Sequence, residues 1–545
     1  MKYQALKFTT VLIATGLALA SCSPEMAKDN TENVSVERTN YQPDGILAKS
    51  LPEIADALNK GEITSEALVQ LYLDRIHAVD RSGPTLQAVL TINPNALKDA
   101  KALDVKRAAG EKIGPLHGVP ILLKDNIETK DPMATTAGAL ALKDNITGRD
   151  SPLVAGLRKA GAIILGKTNL SQWANFRSED SLSGWTALGG QVRNPHMLDR
   201  NPCGSSSGSG AAAAASLAAG TIGTETNGSI ICPSSVNGIV GFKPTVGIVP
   251  QDLIIPISVS QDTAGPMTKT VKGSALMMDA MSPLTPAEHF TTGLTKDALK
   301  GVRVGVLRFA QGSFSPILKH FETALKDLEA AGAILVDIND RPSTPDDYSK
   351  MAYDLLKYEF KDGLNTYLAS TSPEKVKTRT LAELIAFNEA NAEVELVLFD
   401  QSIFIASEAM SSLETKQYQK AVQLVQKASR EDGVDKLLLD NNVALLVVPS
   451  GPIAPRVDPV NGDVWPSNWP GYGSAAARAG YPHATVPMGG VRAISVSLSF
   501  IGGKNTDADI LGYAYAYEQR SMKRLEPNYY TNAEDLPEVA KAMNP

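Results

Sequence analysis

The segment from Cys203 to Pro233, CGSSSGSGAAAAASLAAGTIGTETNGSIICP, places the strongest constraint on how this chain folds. It contains two clusters of Gly and Ser, and a run of Ala lies between them. A flexible linker would not need apolar residues between the clusters, and a P-loop would end in Gly-Lys-Ser or Gly-Lys-Thr, which this segment lacks. The pattern therefore predicts a tightly packed helix of small residues, and it raises the question of which serine does chemistry.

Helical and strand patterns alternate on both sides of this segment, which predicts an α/β core. A helix begins at an N-cap, Thr64 or Ser65, because apolar residues follow at helical spacing in ITSEALVQLYLDRIHAVDR. A second helix, SPLVAGLRKAG, ends in a turn at Gly161. Further strands are predicted at TLQAVLTI, GVPILLKDNI, AIILGK, GIVGFKP, GVRVGVLR, VALLVVPS, ATVPMGG and AISVSLSFIGG, and a closing helix at DADILGYAYAYEQ.

The sequence changes in character between about residues 300 and 445, where it becomes charged and poor in Gly. Long amphipathic patterns occur there, such as ILKHFETALKDLEAAG and QYQKAVQLVQKASREDGVDKLLLD. Apolar residues at helical spacing on one face are typical of helices that pack on a core. This region is therefore predicted to be a helical elaboration of the core rather than a separate domain.

The composition argues against several classes of function. The net charge of -7 at pH 7 argues against a nucleic-acid partner. Only six His are present, and neither HExxH nor CxxC occurs, so a metal hydrolase has little support. A chain of 545 residues, 43% of them hydrophobic, is long enough to bury a large core.

The first 21 residues are typical of a bacterial lipoprotein signal peptide. Lys2 and Lys7 precede the apolar segment TTVLIATGLALA, which is short for a membrane-spanning helix. The segment ends in LASC, which resembles a lipobox, so Cys22 is predicted to carry lipid and anchor an exported protein to a bacterial membrane, facing the periplasm or the exterior. A simple signal peptide cut nearby is the alternative. Residues 22–45 are polar and typical of a tether, which leaves residues 46–535 for the folded domain.

Two cysteines remain once Cys22 is assigned to the anchor. Cys203 and Cys232 both lie in the Gly/Ser-rich segment. In an exported protein they could form a disulfide, or they could be two small buried hydrophobic residues. The sequence leaves this choice open.

Polar groups in and near this segment could support nucleophilic catalysis. Ser229 follows Asn227-Gly228, and such a turn can direct successive backbone N–H groups at one point to form an oxyanion hole. A serine hydroxyl also needs a base. Lys124 ends the apolar strand GVPILLK, where desolvation would lower its pKa and let it act as that base. An ordinary turn serine and a solvated strand-end lysine are the alternatives, because the residues alone do not show that these groups meet.

Other motifs and another class of function compete with this interpretation. GSSSG matches the G-x-S-x-G nucleophile elbow with Ser206 as nucleophile and His483 as partner, but the elbow needs a preceding strand and NPHMLDRNPC is a loop. SPEK, residues 372–375, matches S-x-x-K without the accompanying S-D-N and K-T-G motifs. A non-catalytic lipoprotein that binds a solute in the Gly/Ser loop is the alternative from a different class.

The sequence from Gly204 to Pro244 resembles the amidase signature family, with its Gly-Ser-Ser loop, small-residue helix, acidic residue, turn and Ser-Ile. Other pieces similar to this family follow the same order, so that the resemblance spans roughly residues 46–520. These pieces are GPLHGVPILLKDNI, TTAGAL, AGAIILGKTNLSQWANF, RNPHMLDRNPCGSSSGSG, QDTAGPMTKTV, AGYPHATVPMG and DADILGYAYAYEQ.

The resemblance implies an amidase with a Ser–cis-Ser–Lys triad on a central mixed sheet covered by helices on both faces. Lys124 matches the family's basic lysine, Ser205 the bridging serine after a cis peptide bond, and Ser229 the nucleophile. Ser206 would support the loop and Glu225 would brace the turn. The family mechanism implies no cofactor, no metal and no obligate protein partner. The oxyanion hole would be formed by the backbone N–H groups of Thr226, Asn227, Gly228 and Ser229.

Departures from the family pattern bear on the substrate. CGSSSG stands where GGSSGG is usual, and NGSIIC stands where Gly-Gly-Ser-Ile-Arg is usual, while the triad positions match. With NLSQWANFR and GWTALGGQ, these features resemble the bacterial peptide amidases, which remove the C-terminal amide of peptides. Fatty-amide or aryl-amide hydrolysis is the alternative within the family. We expect the pocket to be lined by the helices of residues 300–445, the loop WPSNWPGYG, Trp173 and Trp185, although these aromatic residues could equally be structural.

Overall fold

The computed structural model describes residues 41–111, 114–283 and 289–545. The predicted signal peptide, Cys22 and most of the predicted tether lie outside these ranges. The chain from Tyr41 to Pro545 forms one compact unit. The boundaries proposed for the signal, the tether and the folded domain therefore stay predictions.

A mixed sheet of eleven strands forms the centre of the described chain. The strands in chain order are β1 (Val89–Ile92), β2 (Pro120–Lys124), β3 (Ile163–Thr168), β4 (Trp185–Thr186), β5 (Gly190–Gln191), β6 (Gly220–Glu225), β7 (Val240–Lys243), β8 (Thr263–Thr268), β9 (Arg303–Leu307), β10 (Ile334–Ile338), β11 (Leu445–Pro449), β12 (His483–Val491) and β13 (Ile494–Ile501). Their order across the sheet is β1-β3-β2-β6-β8-β7-β12-β13-β11-β9-β10, and β4 and β5 form a separate pair.

Three parallel strands determine where the functional groups meet. β2 pairs in parallel with β3 on one side and with β6 on the other. The register places Lys124 opposite Thr168 of β3 and Leu123 opposite Ile222 of β6. Because these strands run in the same direction, the residues at their carboxyl ends lie at one edge of the sheet, where α/β proteins commonly bind ligands.

Helices connect and cover the strands. The described α-helices are α1 (Gly45–Ala48), α2 (Leu51–Asn59), α3 (Ser65–Arg75), α4 (Ala96–Ala108), α5 (Pro152–Lys159), α6 (Ser207–Ala214), α7 (Ile231–Val236), α8 (Val271–Met281), α9 (Ser315–Ala330), α10 (Tyr348–Ser370), α11 (Leu381–Ala390), α12 (Ala392–Glu395), α13 (Ser402–Glu408), α14 (Lys416–Ser429), α15 (Asp435–Asp440), α16 (Gly473–Ala479), α17 (Asp507–Ser521) and α18 (Pro537–Met543). The predicted cap of α3 is confirmed, since Thr64 Oγ1 accepts a hydrogen bond from the Ala67 N–H.

The glycines of β6 show that helices cover both faces of the sheet. A Cβ at Gly220 would meet Met277 Sδ of α8 at 2.7 Å, whereas a Cβ at Gly223 would meet Ser206 Oγ beside α6 at 2.8 Å. Positions three apart in a strand point to opposite faces. Helices α8 and α6 therefore lie on opposite sides of β6, which confirms the predicted α/β architecture with helices on both faces.

The small residues of α6 are required by close packing, as the Ala-rich pattern predicts. Every residue of α6 is buried. A Cβ at Gly208 would lie 2.3 Å from the Asn169 carbonyl oxygen and 2.4 Å from that of Ala88. Since real side-chain carbons do not approach backbone oxygens this closely, only glycine fits at this position.

Three strands of the central sheet, and the short pair β4 and β5, were absent from the sequence prediction. β6 and β8 lie in the middle of the sheet, and β10 lies within the region predicted to be helical. The sequences of β6 and β8, GTIGTE and TAGPMT, contain only one branched apolar residue, Ile222, and are interrupted by Gly and Pro, which are depleted in strands. Residues 300–445 thus extend the sheet with β9 and β10 before the chain enters the helices α10 to α15.

None of the helices in the described part of the chain combines the length and the apolar character needed to cross a membrane.

Candidate active site

Lys124 lies at the carboxyl end of β2, and its side chain is completely buried. Its Nζ is 2.8 Å from Ser205 Oγ and 2.8 Å from Thr224 Oγ1. It also donates to the Thr224 carbonyl oxygen at 3.2 Å. The strand register brings Thr224 to this position, because it occupies the end of the neighbouring parallel strand β6.

Burial lowers the pKa of Lys124 to about 7, since desolvation penalises the charged ammonium. The negative charges of Asp262 and Glu225 oppose this effect but do not cancel it. A substantial fraction of Lys124 is therefore neutral near pH 7, and a neutral amine can accept a proton.

Ser205 lies in the loop before α6, and the Gly204–Ser205 peptide bond is cis, as the resemblance implies. The Ser205 carbonyl oxygen accepts a hydrogen bond from the Ser171 N–H at 3.0 Å. The next residue, Ser206, exchanges hydrogen bonds with the backbone of Thr224, donating to its carbonyl oxygen at 3.1 Å and accepting from its N–H at 3.2 Å. Ser206 thus holds the loop against β6, in agreement with the supporting position predicted for it.

Ser229 follows a tight turn after β6. Gly228 has a φ of +87°, a conformation that favours glycine. Glu225 Oε2 accepts from the N–H groups of Ile230 and Ile231, at 2.7 and 3.0 Å. Glu225 therefore braces the turn as predicted. The Ser206 N–H donates to the Ser229 carbonyl oxygen at 3.2 Å, which holds the two serine loops side by side.

The turn leaves a row of hydrogen-bond donors free. Among the described residues, the backbone N–H groups of Thr226, Asn227, Gly228 and Ser229 donate to no partner. Buried N–H groups rarely lack an acceptor in native proteins, and Thr226 and Ser229 are buried. Within the same part of the chain, the Ser229 hydroxyl also has no hydrogen-bond partner, although its residue is only 9% exposed.

Cys203 and Cys232 form a disulfide with a Cα–Cα distance of 5.9 Å. The sequence left this pairing open. Cys203 lies two residues before Ser205, and Cys232 lies three residues after Ser229. The covalent bond therefore joins the loop that carries Ser205 to the first turn of α7, which directly follows the turn that carries Ser229.

A cavity of about 530 Å³ opens beside the two loops. Gly204, Asn227 and Gly228 line it near the serines, together with the disulfide. The predicted contribution of the loop WPSNWPGYG is confirmed, since Trp465 and Trp469 line the cavity, as do residues between 341 and 349.

The expected contribution of Trp173 and Trp185 to this cavity is wrong. Neither residue lines it. Trp173 packs edge-on against Phe404, and Trp185 packs against Phe399. These two tryptophans are therefore structural, the alternative that the sequence had left open.

The competing serine motifs do not form catalytic sites. His483 is buried, its Nε2 lies 2.7 Å from Ser499 Oγ, and burial lowers its pKa to about 3. Ser206 is engaged with the backbone of Thr224 rather than with a histidine. Ser372 and Lys375 lie on the surface, where the Lys375 ammonium donates to a backbone carbonyl.

Several residues of the site were missed by the sequence reasoning. Asn126 Nδ2 donates to Thr224 Oγ1 at 3.0 Å, and Asp262 Oδ1 accepts from Thr226 Oγ1 at 2.5 Å. Asn126 lies two residues after Lys124, so proximity along the chain was an available signal. Thr224 and Asp262 were missed because β6, which holds Thr224, and β8, which begins directly after Asp262, were not predicted. Within the described ranges, no group of His, Cys, Asp or Glu side chains is arranged to hold a metal ion.

Comparison with known proteins identifies the family. The model of the family described as Amidase matches residues 67–511. The chain therefore belongs to the amidase signature family, and it is a hydrolase that acts on amide C–N bonds.

Individual relatives cover most of the chain. The solved peptide amidase of Stenotrophomonas maltophilia is 42% identical, with a TM-score of 0.83, and the match covers 88% of this chain and 98% of that one. A solved amidase family protein of Bacillus anthracis is 32% identical, with a TM-score of 0.78, over 89% of this chain and 93% of its own. A probable amidase of Arabidopsis thaliana is 36% identical over 89% of this chain and 92% of its own.

We predict that the disulfide stabilises the fold. Closing a loop across the sequence separation of 29 restricts the unfolded chain and contributes about 3–4 kcal/mol. Thermal unfolding should therefore occur at a lower temperature after reduction. The Cys203→Ala variant should show the lower unfolding temperature without reductant and no further change with it. Equal unfolding temperatures for the oxidised and fully reduced wild type, with thiol titration confirming reduction, would contradict this prediction.

Proposed function

We propose that this protein removes the C-terminal amide group of peptides, with Ser229 as nucleophile, Ser205 as proton bridge and Lys124 as base. The observation that carries the catalytic assignment is the buried Lys124 amine, 2.8 Å from Ser205 Oγ. A lysine that is desolvated to a pKa of about 7 is suited to general base catalysis near neutral pH.

The surroundings of Lys124 favour proton transfer from Ser205. A neutral amine has two N–H donors and one lone pair. The two oxygens of Thr224 lie within hydrogen-bond distance and can accept both N–H groups. The lone pair is then left for the Ser205 hydroxyl, which can donate its proton to Nζ and accept one from Ser229.

The reaction follows from this arrangement. Ser229 Oγ attacks the amide carbon while its proton passes to Ser205 and that of Ser205 passes to Lys124. The free N–H groups from Thr226 to Ser229 stabilise the oxyanion. The proton returns through Ser205 to the amide nitrogen, the C–N bond breaks and ammonia leaves. Water then attacks the acyl-enzyme by the same relay, which releases the carboxylic acid and restores Ser229.

The proposed substrate class, peptide amides, rests on the similarity of this chain to a solved peptide amidase. The relative from Stenotrophomonas maltophilia is a peptide amidase, and 98% of its chain aligns with this one at 42% identity. The cavity of about 530 Å³ has room for one or two residues of a peptide, with Trp465 and Trp469 available for apolar or aromatic side chains. Fatty and aryl amides form the competing substrate class.

We predict that ammonia is released from peptide amides and that Ser229→Ala abolishes the release. The nucleophile has no substitute, so we expect kcat to fall by at least about a thousandfold. Ammonia should be measured with peptide amides, amino-acid amides, fatty amides and aryl amides. Ser411→Ala, an exposed serine outside the cavity, is the control and should match the wild type. Release from fatty or aryl amides alone, still dependent on Ser229, would overturn the proposed substrate class.

We also predict that the rate rises with pH through the pKa of Lys124. Only the neutral amine accepts a proton, so kcat/KM should increase about tenfold per pH unit well below pH 7 and level off above about pH 7. Lys124→Ala should lose at least about a hundredfold in kcat, whereas Lys420→Ala, on the exposed side of α14, should lose none. Circular dichroism should establish that both variants fold. Equal activity of the two variants would refute the assignment of the base.

We further propose that the protein is exported and anchored to a membrane by lipid on Cys22. The disulfide supports export, since such bonds persist mainly outside the reducing cytoplasm. The Cys22→Ala protein should leave the membrane fraction, and labelling with a fatty-acid analogue should be lost. A variant that still sediments with membranes would count against the lipid anchor.

A further inference from the structure

Two arginines line the cavity beside the proposed nucleophile. Arg478 belongs to the last turn of α16 and is half-buried, and Arg341 lies in the exposed segment before α10. The Arg478 guanidinium lies 5.0 Å from the ring centroid of Tyr348, which also lines the cavity, and that of Arg341 lies 5.1 Å from the ring of Phe309. The flat faces of both cations are thus supported by aromatic rings.

Neither arginine is neutralised within the described ranges. No carboxylate or other hydrogen-bond acceptor there contacts the guanidinium of Arg341 or Arg478. An arginine with a structural role in the same molecule has acceptors around its guanidinium. Arg177 is fully buried, and its Nη1 lies 3.3 Å from Glu395 Oε2 and 2.8 Å from Gln172 Oε1. The N–H groups of the two cavity arginines therefore remain free for a ligand.

Helix α16 links Arg478 to the oxyanion turn. Ser474 Oγ donates to Asn227 Oδ1 at 3.0 Å, so the first turn of α16 contacts the residue that offers one of the free N–H groups. Residues four apart lie on the same face of a helix, about 6 Å along its axis. Arg478 is four residues after Ser474. The backbone of Arg478 therefore lies about two residue lengths of an extended peptide from that of Ser474, which contacts the turn.

One acidic group also faces the cavity. Asp463 Oδ1 accepts from the Ser183 N–H at 3.0 Å and from Asn201 Nδ2 at 2.7 Å. The Asn201 Oδ1 accepts in turn from the Cys203 N–H at 2.7 Å. Asp463 thus has donors of its own that hold the loop preceding Ser205, which gives it a structural role that the arginines lack.

We propose that Arg478, assisted by Arg341, binds a carboxylate of the substrate, so that this enzyme prefers peptide amides with Asp or Glu next to or at the amidated end. The inference rests on the proposed function and specifies its substrate class. A guanidinium suits this role because its parallel N–H groups match the two oxygens of a carboxylate. The contact with the Tyr348 ring helps to position the Arg478 guanidinium before the substrate arrives.

The test compares substrates that differ in one charge. N-acetyl-Glu-Ala-amide and N-acetyl-Ala-Glu-amide are each compared with the isosteric Gln peptide by ammonia release. For at least one pair we expect the wild type to show kcat/KM about tenfold higher for the Glu peptide, the effect of a hydrogen bond to a charged group. The preference should appear in KM and should shrink at high salt, because ions screen the partly solvated charges.

Arginine variants test whether the cavity causes the preference for the Glu peptide. Arg478→Gln should reduce the Glu-to-Gln ratio to near one and leave hydrolysis of the Gln peptide within about threefold of wild type. Arg341→Gln should reduce the ratio partially. Arg520→Gln, an exposed arginine of α17 outside the cavity, is the matched control and should keep the full ratio. Since the Gln peptide reports on folding and chemistry, a misfolded variant is recognised by the loss of both activities.

Each outcome discriminates between hypotheses. A ratio near one in the wild type, with Ser229-dependent hydrolysis of the Gln peptide, would overturn the carboxylate site and leave the proposed function standing. A preference for the corresponding Lys peptides, lost in the Asp463→Asn variant, would overturn the carboxylate site. It would indicate instead that Asp463 binds an ammonium group. An unchanged ratio in Arg478→Gln would show that Arg478 only stacks on Tyr348. No hydrolysis of any peptide amide would refute the proposed function itself.

Discussion

The site depends on the burial of one amine at the carboxyl end of a parallel strand. Desolvation lowers the pKa of Lys124 to about 7, whereas the unfolded chain keeps the ordinary value near 10.5. Unfolding at neutral pH therefore takes up a proton, so this lysine costs the folded state several kcal/mol, a cost that diminishes as pH rises from about 7 towards 10.5. The large hydrophobic core must offset this free-energy cost. The result is an amine that can be neutral near pH 7.

The remaining groups of the site are held in position relative to that amine. Thr224 contacts Lys124 from the neighbouring strand, and Ser206 fastens the Ser205 loop to the same residue. Glu225 braces the turn that carries Ser229, and the disulfide joins the Ser205 loop to α7 directly after that turn. In the part of the chain that the structure describes, the backbone donors of this turn have no acceptor. This rigidity is consistent with electrostatic stabilisation, which requires dipoles that are oriented before the substrate arrives.

Prediction from the sequence succeeded where a segment is compatible with only one structure. The Ala-rich segment had to be a tightly packed helix, and the motifs around Lys124, Ser205 and Ser229 indicated the family. It failed for β6 and β8, whose Gly and Pro residues are depleted in strands; these segments are held in the sheet by pairing with their neighbours. It also misplaced Trp173 and Trp185, because a large aromatic residue has the same sequence signature in a core as in a pocket.

The family, the α/β class and the residues proposed for catalysis could be predicted from the sequence, because they follow from local patterns and ordered motifs. Three properties emerge only in the folded structure: Lys124 is desolvated and faces Ser205, Cys203 pairs with Cys232, and Arg478 and Arg341 share a cavity with Asn227 and Gly228. Those properties arise between residues that are distant in the chain. Burial and pairing depend on which surfaces meet, and the order of residues along one segment does not specify them.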